Sequence, residues 1–222
     1  MKPNAMIAGS TGLVGSELLK LLSGKDYYET IVLPVRKKTE NSAGNIAMHV
    51  VDFSDLENFD PGIKIRDLYI CLGTTQKKGG GKAGFFKVDH DYVLNIAKWA
   101  RQSGVERVCL ISSIGANPKS SSFYLKTKGK IEQELTALGF SHLCILRPSL
   151  LLGKREEYRW AEAISAKVFP LFSFLMVGML KKYRAVKADK VAAAMFQFTN
   201  TMKEPLVIVE SDKISDLETT PI

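Results

Sequence analysis

Histidine and cysteine are scarce in this chain, with three of each in 222 residues. His49, His90 and His142 have no ligand-like spacing with Cys71, Cys109 and Cys144, so no metal site is expected. The cysteines are odd in number and each falls in an apolar, strand-like stretch. That argues against a disulfide framework and reads as reduced core residues of a cytoplasmic protein. His90, inside Asp89-His90-Asp91, reads first as a surface histidine, with an approach to the site from the helix after the glycine-rich loop as the alternative. Long apolar runs are also missing: the longest block, residues 168–180, is well short of the roughly 20 residues that cross a bilayer. Met1-Lys2-Pro3-Asn4 leads directly into a strand pattern, so no secretory leader is expected. No long Pro/Ser linker or composition break divides the chain, and residues 1–222 read as one domain.

What is present begins with charge. Lys plus Arg number 31 against 23 Asp plus Glu, a formal net charge of +8. The basic residues are scattered apart from Arg36-Lys37-Lys38 and a glycine-rich loop, and no nucleic-acid motif accompanies them, so no specific nucleic-acid partner is expected. A basic surface equally steers a phosphorylated small molecule or an acidic substrate.

Short apolar stretches recur at Asn4–Ala8, Thr30–Val35, Ile46–Val51, Asp67–Leu72, Arg107–Ile111, His142–Leu146 and Leu206–Val209, with helical patterns between them. This alternation predicts an α/β fold, a Rossmann-like doubly wound parallel sheet with helices on both faces and ligands at the carboxyl ends of the strands. One helix is expected over Phe85–Ser103, with Phe86, Val93, Ile96, Ala97 and Ala100 facing the core and Gly104 as its stop.

The first strand runs straight into Gly9-Ser10-Thr11-Gly12-Leu13-Val14-Gly15, and a helical stripe follows. Strand, glycine turn and helix form the context of a dinucleotide fingerprint. Gly9 permits the tight turn, Gly12 admits a pyrophosphate against the backbone and Gly15 lets helix pack on strand. The helix end offers unpaired N–H groups to phosphate. No Gly-Lys-Ser/Thr ends the loop, so P-loop binding of a nucleoside triphosphate is not offered. At the end of the second strand, where an acidic residue would take the ribose hydroxyls of NAD, stand Arg36 and Lys37, which suit the 2′-phosphate of NADP. Asp52, after the third strand, reads equally as a neighbour of the adenine edge and as a strand-end cap.

Tyr124 and Lys128 are four residues apart, on one face of a helix if they lie on one. An ammonium beside a phenol favours the ionised phenol, which otherwise is a poor base at neutral pH. Ser112 and Ser113 follow an apolar strand just upstream, and either hydroxyl could hold a carbonyl oxygen within reach of that phenol. The loop Gln76-Lys-Lys-Gly-Gly-Gly-Lys-Ala-Gly84 is expected to be mobile, and reads equally as a lid over cofactor or substrate and as a solvated connector.

Taken with Val35-Arg-Lys37, Val51-Asp-Phe53, Cys71-Leu-Gly-Thr-Thr75, Gly84-Phe-Phe-Lys-Val-Asp-His-Asp-Tyr-Val93, Ser112-Ser-Ile-Gly-Ala116, Tyr124-Leu-Lys-Thr-Lys-Gly129 and Leu146-Arg-Pro-Ser-Leu-Leu-Leu152, the chain resembles an atypical short-chain dehydrogenase/reductase. It is similar to the Tat-interacting-protein oxidoreductase family and its bacterial relatives. The segments run in that family's order over nearly the whole chain. The resemblance implies NADP(H) as cofactor, with Thr11, Gly12, Leu13 and Val14 around the pyrophosphate and Arg36 with Lys37 at the 2′-phosphate. It implies Leu72 and Gly73 along the middle of the cofactor, Tyr124 and Lys128 beside the nicotinamide ribose, Leu151 over the nicotinamide end and Arg159 returning to the cofactor. Ser112 or Ser113 would complete a Ser/Tyr/Lys triad.

The expected reaction is hydride transfer to or from a small carbonyl or alcohol. Residues 148–222 are expected to build a small substrate-lid region in which Phe169, Phe172, Phe174 and Met176 wall an apolar pocket, pack a homodimer or other protein interface, or touch a membrane surface. An NADPH-binding regulatory protein with little turnover would carry the same motifs. A nucleotide-sugar epimerase or dehydratase shares cofactor and triad but usually needs a larger substrate region than the chain after Pro148 provides.

Overall fold

The computed structural model describes residues 1–37, 44–152 and 184–217. Its centre is a seven-stranded parallel sheet in the order β3-β2-β1-β4-β5-β6-β9, beside a two-stranded parallel pair, β7 with β8. The strands are β1 (Ala5–Ala8), β2 (Ile31–Val35), β3 (Ile46–Val50), β4 (Asp67–Ile70), β5 (Arg107–Ile111), β6 (His142–Arg147), β7 (Leu151–Leu152), β8 (Val186–Lys187) and β9 (Leu206–Glu210). The helices among the described residues are α1 (Leu13–Ser23), α2 (Lys82–Phe86), α3 (Tyr92–Gln102), α4 (Phe123–Ala137), α5 (Ala188–Thr201) and α6 (Ser211–Ser215).

The inner strands read as near-continuous apolar runs because both faces of the sheet are covered there, whereas the edge strands β3 and β9 are partly exposed. Along β1, Ala5 and Ile7 point into one core with Val14, Leu18, Val191 and Met195 of α1 and α5, while Met6 and Ala8 point into the other with Val93, Ile96, Ile131 and Leu135 of α3 and α4. The strand order reverses between β1 and β4, which pair directly from Ala5 with Asp67 to Ala8 with Ile70. In a doubly wound sheet this is where a crevice opens beyond the strand ends.

The helix expected over Phe85–Ser103 differs in one respect. Between α2 and α3 the chain makes a π-helical turn, Lys87–Asp91. One extra residue in a helix rotates what precedes it by about 100°. Phe85 therefore takes the core position, 1% exposed, and Phe86 turns outward to stack on His90 with ring centroids 4.3 Å apart. The same rotation corrects the reading of His90 as a surface residue. It is buried between Asp91, whose Oδ1 lies 2.9 Å from Nδ1, and Glu134 of α4, whose Oε1 lies 3.1 Å from Nε2. Truncating Phe85 to alanine should cost about 3–5 kcal/mol, and the same change at the half-buried Phe86 about 1 kcal/mol. Urea unfolding of the two variants checks the order; a larger loss at Phe86 would contradict this register.

The glycine-rich loop is also more structured than its composition suggests. Gly79 N–H donates to Thr75 O at 2.8 Å and Gly81 N–H to Gln76 O at 2.7 Å, folding residues 75–81 into successive turns that end at the start of α2.

Candidate functional site

The crevice at the switch point holds two joined cavities that share Gly12, Cys71, Leu72 and Gly73. The larger, about 590 Å³, is lined by Gly9, Ser10, Thr11, Gly12, Arg36, Lys37, Phe53, Val88 and Tyr92, among others. The smaller, about 260 Å³, is lined by Leu13, Val14, Thr74, Thr75, Lys78, Asp89, Ser112, Tyr124, Lys128 and Leu151, among others.

Backbone geometry makes the glycine turn. Gly9 has φ of +91°, and a Cβ there would sit 2.7 Å from the Cys71 carbonyl carbon. A Cβ on Gly15 would sit 2.2 Å from the Gly9 carbonyl oxygen, so α1 lies directly on the turn. The first turn of α1 carries no acidic side chain to quench the positive helix end. Arg36 and Lys37, both exposed, follow β2 at the far wall of the larger cavity. Asp52 lies outside both cavities. Its carboxylate accepts the Ser54 N–H at 2.8 Å, a bond that holds its pKa below the usual range, and Phe53 occupies the cavity wall instead. Of the two readings of Asp52, the geometry matches the cap.

In the smaller cavity α4 presents Tyr124 and Lys128 on one face, one turn apart. Tyr124 is 38% exposed, its ring packed 5.6 Å from that of Phe85. Lys128 is buried, and its Nζ lies 2.8 Å from Asp89 Oδ1. Burial alone would lower the ammonium pKa, but Asp89, followed by Tyr124 and Glu132, outweighs that and raises it, so Lys128 is charged. The other Asp89 oxygen, Oδ2, accepts the Thr74 N–H at 2.8 Å.

The two serines separate. The Ser112 hydroxyl is buried, lines the cavity and has no hydrogen-bond partner among the described residues, whereas Ser113 donates to the Ile114 carbonyl at 3.3 Å and lies outside the lining. Cys71 also borders the crevice, but burial, with Cys109 beside it, pushes its thiol pKa well up, which keeps it from acting as a thiolate near neutrality. Arg159, Lys38, Phe169, Phe172, Phe174 and Met176 lie outside the described residues.

Several lining residues were not singled out from the sequence: Phe53, Val88, Tyr92, Thr74, Thr75, Lys78 and Asp89. For Asp89 a signal existed. It stands three residues after Phe86 and four before Val93, an acidic side chain in the row expected to face the core.

Comparison with known proteins accords with this crevice. Rat Protein HTATIP2 is 37% identical over 170 residues, covering 75% of this chain and 70% of its own length. Protein FMP52, mitochondrial, of Debaryomyces hansenii is 34% identical over 196 residues, covering 85% and 84%. Among solved structures, the Bordetella bronchiseptica enzyme WbmH in complex with NAD+ superimposes with a TM-score of 0.69 at 14% identity, over 95% of this chain and 76% of that one. The expectation of a cytoplasmic protein is overturned by these relatives: the FMP52 proteins of several yeasts are named mitochondrial. Free cysteines, two of the three buried, do not single out one compartment. The model of the NAD dependent epimerase/dehydratase family matches residues 5–173, and with relatives this similar along most of its length the chain belongs to that family of short-chain dehydrogenase/reductase folds.

Proposed function

We propose that the chain is an NADPH-dependent oxidoreductase that moves a hydride to or from a small carbonyl or alcohol, with Ser112, Tyr124 and Lys128 as its catalytic residues. The observation that carries this reading is the buried Ser112 hydroxyl, without a partner among the described residues, in one cavity with Tyr124 and the charged Lys128. A buried hydroxyl without a partner costs free energy unless a ligand oxygen completes it.

The residues present fit a phosphorylated dinucleotide. The glycine turn keeps side chains off the floor of the crevice, the open N-terminus of α1 suits a pyrophosphate, and Arg36 with Lys37 suits a 2′-phosphate at the adenosine end. The NAD+ carried by WbmH on a like fold supports the same crevice as the dinucleotide site. When bound, the cofactor supplies or accepts the hydride. The chain's own residues then handle the proton. Ser112 donates a hydrogen bond to the substrate oxygen, the Tyr124 phenol gives that oxygen its proton in reduction and removes it in oxidation, and Lys128 favours the phenolate form and holds ribose hydroxyls. Leu151 shields the nicotinamide end.

Isothermal titration with NADP+ and NADPH, followed by a panel of aldehydes and ketones, tests the reading. Saturable binding with turnover of at least one carbonyl is expected; heat from neither nucleotide would sink it. Exchanging Arg36 for serine should weaken NADPH at least about tenfold and leave NADH within about twofold, because only the 2′-phosphate loses its charged partner. Equal losses for both nucleotides would remove Arg36 from that role.

A further inference from the structure

We infer that Asp89 is a positioning residue that balances the charge of Lys128 and so sets how strongly the site prefers reduced over oxidised cofactor. The inference rests on the proposed NADP(H) site and deepens it.

The geometry is unusual for an acidic side chain. Asp89 is 2% exposed, sits in the π-helical turn and lines the smaller cavity. One oxygen takes Lys128 Nζ at 2.8 Å and the other takes the Thr74 N–H at 2.8 Å, tying α4 to the loop after β4. Among the described residues lining the smaller cavity, Asp89 is the one carboxylate, facing two cations, Lys128 and Lys78. Glu132, one turn further along α4, is taken up by Arg147, whose Nη2 lies 2.6 Å from its Oε2.

Oxidised nicotinamide carries a positive ring and reduced nicotinamide a neutral one. With Asp89 ionised, the buried pair has no net charge, and the positive ring is not repelled by Lys128. At a pH low enough for Lys128 to keep its proton without Asp89, removing the carboxylate charge leaves a buried ammonium in a low-dielectric cavity, where repulsion over several ångströms changes an equilibrium by about tenfold. The rest of the nucleotide is the same in both forms, so the ratio of the two dissociation constants isolates this effect from any loss of affinity common to both.

Titration calorimetry with NADP+ and NADPH on the full chain reads that ratio. In Asp89→Asn the NADP+ to NADPH dissociation-constant ratio should rise about tenfold, and it should return to within about twofold of the parent in Asp89→Asn/Lys128→Met, where both charges are gone. A ratio unmoved in Asp89→Asn, or one that stays raised in the double variant, overturns the inference. Should Asp89→Asn fail to fold, Lys128→Met carries the test with the opposite sign. The carboxylate left without its ammonium favours the oxidised ring and lowers the ratio; no fall overturns the inference. If the parent bound neither nucleotide, the proposed cofactor site itself would be the part that failed.

Discussion

Replacing Tyr124 with phenylalanine should lower turnover of any accepted carbonyl about a thousandfold while NADPH affinity changes by less than about threefold. The expected size follows from the loss of general acid–base catalysis, worth about 10²–10⁴ in rate. The expected selectivity follows from the surroundings. The Tyr124 ring rests against Phe85 and is partly open to the cavity, and phenylalanine preserves the ring contact while deleting only the hydroxyl. Lys128 is held by Asp89 and does not depend on the phenol for its place. Single-turnover kinetics, with nucleotide affinity measured separately, would separate the two quantities. A variant that retained full activity would take the proton-transfer role away from Tyr124, and one that lost affinity and turnover together would point to a binding role instead.

The second large effect belongs to Gly15. An alanine methyl there would stand 2.2 Å from the Gly9 carbonyl oxygen and 2.9 Å from its carbonyl carbon, inside any tolerable contact. These neighbours are backbone atoms of the tightest turn in the crevice, so neither can swing aside as a side chain would. Either α1 lifts from the sheet, opening the core around Val14 and Leu18, or the turn flattens. Overpacking of this kind costs about 3 kcal/mol, or about 10 °C in melting temperature for a chain of this size. NADPH affinity should fall more than about tenfold because the pyrophosphate loses its floor. Thermal unfolding and nucleotide titration together check both parts; an unchanged melting temperature would mean that the close approach of helix and turn is relieved at little cost.

Much of the architecture was readable along the chain. All seven strands of the main sheet fall within about two residues of the apolar stretches seen in the sequence; the inner ones do so because strands buried on both faces must be almost wholly apolar. The glycine turn was readable for a related reason: three glycines at fixed offsets between a strand and a helix serve few purposes other than close backbone approach. The Ser112 and Ser113 alternatives were not separable, since adjacent residues leaving a strand point to opposite sides and only the surrounding elements decide which side faces the crevice. The π-helical turn was hidden because apolar periodicity tolerates one displaced residue when both Phe85 and Phe86 are aromatic. With the turn went Asp89 and His90, whose surroundings on α4 lie some forty residues further along the sequence. The compartment was unreadable for a different reason, since the state of a thiol reflects redox poise and more than one compartment is reducing.

The direct pairing of β1 with β4 has a consequence for how the protein comes into being. The Gly9 turn is shaped against the backbone of Cys71 and Leu72, so the first motif of the chain has no mould until the fourth strand has been synthesised. Parallel neighbours joined by long crossovers are slow to meet. On the ribosome, the nascent segment that carries β1, β2 and β3 should therefore wait without its central neighbour, exposed to chaperones, and acquire nucleotide affinity only after β4 and the segments behind it emerge.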